Sequence, residues 1–281
     1  MIILRRIFNP LFLFLSMKKL LTILILIISI KGICQENYFS GKKNYCTPQN
    51  ENSKKRFDAV IKALQFPNLY DKATRAMVDV AAKDSTYCDA FFMAGYLFRL
   101  QEKHKEALTY YYVADSLAQN KSLEFKQNLA IEFMLFGAVD KARNKYEEMT
   151  KYFPTNPEGF YGIGNTAIIL GDYDLGLKNL KIAEGLYEKE GEVKSDVKYM
   201  FGILYALKED YRYSLPYLEE VYSAYKKDDG YLALYALSMI INAKENKDAS
   251  LEKKARKIYE KIKNSSKIDK ELSDKLKSNF Q

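Results

Sequence analysis

The chain has 281 residues, 48% of them hydrophobic and 28% charged, and a formal net charge of +8. One histidine and three cysteines are a thin supply of imidazole and thiolate, and no His/Cys/Asp/Glu group has metal-ligand spacing. No phosphate-cradling glycine loop and no nucleophile elbow is present, so composition and motifs point away from metal, nucleotide and acyl-transfer chemistry.

In chain order, residues 1–34 come first and read as a signal peptide. Met17-Lys18-Lys19 is a short basic start, residues 20–30 are an apolar run, and Gly32 and Cys34 are the small residues before a cut at Gln35. The apolar run rises only about 16 Å as a helix, against roughly 30 Å of bilayer hydrocarbon. Residues 1–16 add a second apolar run behind Arg5-Arg6. Either Met17 is the initiator, or this stretch makes the segment an uncleaved N-terminal anchor, the one membrane contact the sequence suggests. The expected location is therefore outside the cytoplasm, periplasmic or secreted. Five of the basic residues fall in this segment, so residues 35–281 carry 39 basic and 36 acidic side chains, a net +3. That balance does not imply a nucleic-acid partner.

Residues 35–53 are polar and rich in turn formers, and they contain Cys46. Cys46 and Cys88 are the two cysteines beyond residue 34. In an exported chain they are either bridged across a 42-residue separation or two buried free thiols; the sequence leaves both open.

From residue 54 a period of about 34 residues sets in. Gly95, Ala107 and Ala114 lie 12 and then 7 residues apart, and Ala130, Ala142 and Met149 keep that spacing. So do Gly164, Gly176 and Ala183, then Gly202, Ser214 and Val221, and more weakly Ile61, Ala73 and Val80. The units begin at Lys54, Cys88, Leu123, Pro157 and Ser195. Glycine inside a helix costs about 1 kcal/mol relative to alanine, so a glycine recurring at one register position calls for a compensating close helix crossing. Residues 231–243 and 251–262 read as a further helix pair. Ile268, Leu272, Leu276 and Phe280 recur every four residues, a narrow apolar stripe suited to a terminal capping helix over residues 265–281.

This register resembles the tetratricopeptide repeat family, whose unit is a pair of antiparallel helices with small residues at positions 8, 20 and 27. Phe91, Ala94, Gly95 and Phe98 match its first-helix signature and Tyr111 its second-helix aromatic; Tyr146 and Pro154 follow in the next unit, and Gly171-Asp172-Tyr173 sits at its turn. Lys198 and Ser214 depart from the pattern. The resemblance implies an all-α, right-handed superhelical solenoid of five to six helix pairs over residues 54–264, closed by the capping helix.

It also implies a groove lined by positions 2, 5, 9, 12 and 13 of each first helix. Those positions hold Phe92, Tyr96 and Arg99; Gln127, Ile131 and Met134; Tyr161, Asn165 and Ile168; and Tyr199, Ile203 and Ala206. Such a mixture suits an extended peptide or a partner helix, or else packs between neighbouring first helices. Asn165 and Arg99 resemble a carboxylate clamp of the family, but Tyr161 stands where its lysine is expected, and that specificity is not carried over. Position 2 is acidic in Asp89, Glu124, Glu158 and Asp196, which either favour the helix dipole or form a rim for a basic ligand. His104 is expected in a turn and solvated. The expected function is a non-enzymatic protein- or peptide-binding module of the bacterial cell envelope, without cofactor. The alternative is a structural or assembly subunit that uses its convex face and ends.

Overall fold

The computed structural model describes residues 44–191, 194–264 and 268–281, so the signal-peptide reading of residues 1–34 lies outside the described residues. Thirteen α-helices and no strand occur among them, arranged as six consecutive pairs and a final helix. Two compact units divide the chain between Phe160 and Tyr161.

The first unit, described from Asn44, contains α1 (Glu51–Ala63), α2 (Tyr70–Lys83), α3 (Cys88–Leu100), α4 (His104–Ala118), α5 (Leu123–Leu135) and α6 (Val139–Tyr152). Helix α1 starts three residues before the expected Lys54, because the Asn50 side chain caps it by accepting from Ser53 N at 2.8 Å. Its apolar stripe, Phe57 and Val60, is buried. Ser122 caps α5 in the same way, accepting from Phe125 N at 3.2 Å. Within the second pair the crossing is close: a Cβ on Gly95 would lie 2.8 Å from a ring carbon of the fully buried Tyr111.

Helix α7 (Pro157–Leu170) runs across the division. The second unit holds the rest of it with α8 (Tyr173–Lys189), α9 (Ser195–Leu207), α10 (Tyr211–Tyr225), α11 (Asp229–Asn246), α12 (Ala249–Tyr259) and α13 (Lys270–Phe280). Gly164 faces Leu180 and Gly202 faces Leu218, each at a would-be Cβ distance of 2.5 Å, so the register glycines sit where two helices of one pair touch. The two departures from the family pattern have partners. Ser214 donates to Gly202 O at 2.8 Å, and Lys198 pairs with Glu184 at 2.7 Å beside the Tyr217 ring. Helix α13 buries Leu276 against α11 and α12, stacks Phe280 on Tyr259 and ties Lys244 to Asn279 O at 2.7 Å. It is the capping helix that the stripe predicts.

The turns inside the second to fifth pairs share one device. Glu102, Gly137, Gly171 and Glu209 all stand fourteen residues after their unit starts, and all have positive φ, at 59°, 68°, 81° and 60°. Lys103, Ala138 and Asp210 then donate N–H to the carbonyls of Phe98, Phe133 and Tyr205, five residues back. This is a Schellman ending, which satisfies carbonyls the helix leaves open and turns the chain into the next helix.

Candidate binding surface

In the first unit the six groove candidates separate into buried and accessible side chains. Phe92 has no exposure, stacked on Phe125 with ring centroids 4.3 Å apart and against Tyr111 at 5.3 Å. Gln127, Ile131 and Met134 are buried too, and Gln127 donates its amide to Glu158 at 3.0 Å. These four cannot meet a partner, and the alternative of inter-helix packing describes them. Tyr96 and Arg99 stay partly accessible, with Leu100 (39% exposed) beside them at position 13. Burial of the Tyr96 ring pushes its phenol above the ordinary range.

Arg99 is held rather than free. It donates to Asn128 Oδ1 at 2.7 Å, and its Nε lies 3.7 Å from Glu132 Oε1. Glu132 is fully buried at its side chain, and its other oxygen meets His104 Nδ1 at 3.1 Å. Burial lifts the Glu132 carboxyl above its ordinary 4.5, while Arg99 and His104 pull the other way. His104 is therefore the first residue of α4 and a partner of a buried acid, not simply a solvated turn residue. The fourteen-residue turn register brings His104 back over α5, and single-sequence spacing gives no sign of that pairing.

In the second unit Tyr161, Asn165 and Ala206 are buried, which removes them as contact residues. Tyr199 and Ile203 are half-buried, as is Ile168. Tyr199 packs its ring on Tyr225 at 4.6 Å and on Tyr231 at 5.5 Å, so its main role is within the fold.

The four acids at position 2 have specific partners. Glu158 accepts from Gln127, and Asp196 from the Tyr225 hydroxyl. Glu124 takes the Tyr45 hydroxyl at 2.6 Å, and Asp89 takes the backbone N–H groups of Tyr45 and Cys46 at 2.9 and 2.8 Å. The rim is thus engaged by the chain itself, an outcome that neither the dipole nor the basic-ligand reading contained. Residues 44–50 form a strap along this edge, and Cys46 is bonded to Cys88 with an S–S distance of 2.03 Å. Cys46, Cys88 and Asp89 are the one group of potential metal-ligating atoms that converges among the described residues. Its two sulfurs bond each other and so offer no thiolate.

Sequence reading also missed a buried ion cluster in the first unit. Lys126, 1% exposed, contacts Asp115 at 3.1 Å and Glu148; Lys145 contacts Asp115 at 2.9 Å and Glu148 at 2.8 Å. Four charges from α4, α5 and α6 close on one another, so the buried Lys126 is paired with acids on two neighbouring helices.

The solved structures supply the comparison. A tetratricopeptide repeat protein from Parabacteroides merdae superimposes with a TM-score of 0.56 at 16% identity, over 83% of this chain and all of that one. The chain has the tetratricopeptide-repeat fold. YrrB, described as a repeat protein with an unusual peptide-binding site, gives 0.55 at 16% identity, over 73% of this chain and all of that one. The Cut9–Hcn1 hetero-tetramer structure gives 0.57 at 17% identity over 82% of this chain, which spans 43% of the matched chain. No protein-family model matches the sequence, and no curated protein does.

Proposed function

We propose that the protein is a protein- or peptide-binding repeat module of the bacterial cell envelope, and we assign it no reaction. The observation that carries this reading is the accessible group Tyr96, Arg99 and Leu100 on α3. An aromatic ring, an aliphatic side chain and a guanidinium oriented by Asn128 and Glu132 are the ingredients of an interaction hot spot. The peptide-binding site of YrrB, on a similar fold, supports the same class of partner. Export is supported by the signal-like segment and by a disulfide that suits an oxidising compartment.

The test is crosslinking in cells with the tagged protein and its Tyr96→Ala/Leu100→Ala variant. The variant leaves Arg99 in place, because its removal would strand the buried Glu132 carboxylate. With circular dichroism and melting unchanged, loss of a defined envelope partner supports the groove. Equal capture by both proteins moves binding to another face and favours the assembly-subunit reading.

A further inference from the structure

We propose that the Cys46–Cys88 bond is a redox-operated latch that keeps residues 44–50 closed over the helix-start edge of the first unit. The strap immediately precedes α1, whose N-cap is Asn50. It is held by tertiary bonds to α3, α5 and the turn before α3. Tyr45 N and Cys46 N donate to Asp89, Gln49 N donates to Asp84 at 2.7 Å, and Asn44 donates to the Tyr87 hydroxyl at 3.2 Å. The Tyr45 ring meets Phe125 edge-on at 5.2 Å. Asp84 and Asp89 have no exposure, so they are covered carboxylates whose shielding depends on the strap staying in place.

The two sulfurs differ in access. Cys46 is half-buried and Cys88 fully buried, so a dithiol reductant reaches Cys46 Sγ first. Its thiolate bonds to that sulfur, the S–S bond breaks, and the electron pair leaves on Cys88 Sγ. That atom sits at the first residue of α3, where the helix N-terminus favours the departing thiolate while burial and the Asp89 carboxylate oppose it, so the charge is short-lived. It takes up a proton and then lies 3.7 Å from Asp89 Oδ2, within reach of a thiol donor. The second thiol of the reductant displaces Cys46 from the mixed disulfide. Two electrons and two protons have moved, leaving two protein thiols and a cyclic disulfide of the reductant. Without the covalent tie, residues 44–50 are held by hydrogen bonds and the Tyr45–Phe125 ring contact, and the edge opens as these exchange with water. The latch is independent of the groove reading.

The experiment is hydrogen exchange on the full chain, oxidised and after treatment with a dithiol, read at the Tyr45 and Cys46 amides. The expected result is at least tenfold faster exchange at both after reduction, with amides in the middle of α5 unchanged. Equal protection before and after reduction overturns the latch. The Cys46→Ser/Cys88→Ser variant should show the open rates with or without reductant; protected amides in that variant also overturn it. Should the variant not fold, reduction of the already folded wild-type chain decides alone.

Discussion

Two glycines of one unit receive the same added methyl group and should respond with opposite signs. Gly185 lies inside α8 with nothing within 4 Å of a would-be Cβ. Gly185→Ala should therefore stabilise by about 0.5–1 kcal/mol, the difference in helix propensity. At Gly164 the same propensity gain meets Leu180, whose Cδ2 and Cγ would stand 2.5 and 2.6 Å from the new carbon. Carbon contacts settle near 3.5–4.0 Å, so about 1 Å of movement is required. Leu180 has no exposure and nowhere to retreat. Overpacking of this kind costs about 1–3 kcal/mol, which leaves Gly164→Ala destabilising by roughly 1–2 kcal/mol after the propensity gain. Urea unfolding followed by far-ultraviolet circular dichroism measures both variants. A Gly164→Ala/Leu180→Ala double variant tests the cause, because trimming Leu180 removes the collision and should make the double less destabilised than the sum of the singles. Stabilisation by Gly164→Ala, or additivity in the double variant, would refute the close-crossing account.

The shared turn device predicts that Glu102→Gly stabilises by about 0.5–1 kcal/mol, since a non-glycine residue at positive φ is strained. Gly137→Ala should lose a similar amount in the same unfolding assay, and a neutral result at both positions would contradict the turn assignment. Asp115→Ala leaves Lys126 buried with Glu148 and Lys145 nearby, and should cost about 3 kcal/mol; a loss below 0.5 kcal/mol in denaturant titration would show the cluster is not a closed network. Burial raises the Glu132 pKa from 4.5, so the folded chain holds that proton more tightly than the unfolded chain does. The associated stability is present at and below pH 4.5 and is lost as pH rises through the folded pKa, by about 1.4 kcal/mol per unit of separation. Glu132→Gln lacks this titration, so its stability relative to wild type should be greater at pH 7 than at pH 4.5. The reverse order would mean that Arg99 and His104 outweigh burial.

Much of the architecture was legible because repeats write it many times. Helices begin at Cys88, Leu123, Pro157 and Ser195, the unit starts given by small-residue spacing, since a close crossing at each pair demands those residues. The C-terminal helix was legible from a four-residue stripe because its outer face has only water to satisfy. The surface was much less so. Phe92 and Tyr161 share a register position with the half-buried Tyr199, Ile131 shares one with Tyr96 and Ile203, and Met134 shares one with Arg99. Yet Phe92, Tyr161, Ile131 and Met134 are buried, because exposure depends on which side chain the adjacent helix brings against each position.

By itself the sequence determined the class of fold, the pairing of helices within each repeat and the terminal cap, all consequences of local periodicity and of short connections. Only the tertiary structure decided where the charges go. His104 meets Glu132 across 28 residues, Lys126 meets Glu148 across 22, and Tyr45 reaches Glu124 across 79. A buried charge must be matched by whatever side chain packing delivers to it, and that delivery depends on the stacking of neighbouring helices rather than on spacing along the chain.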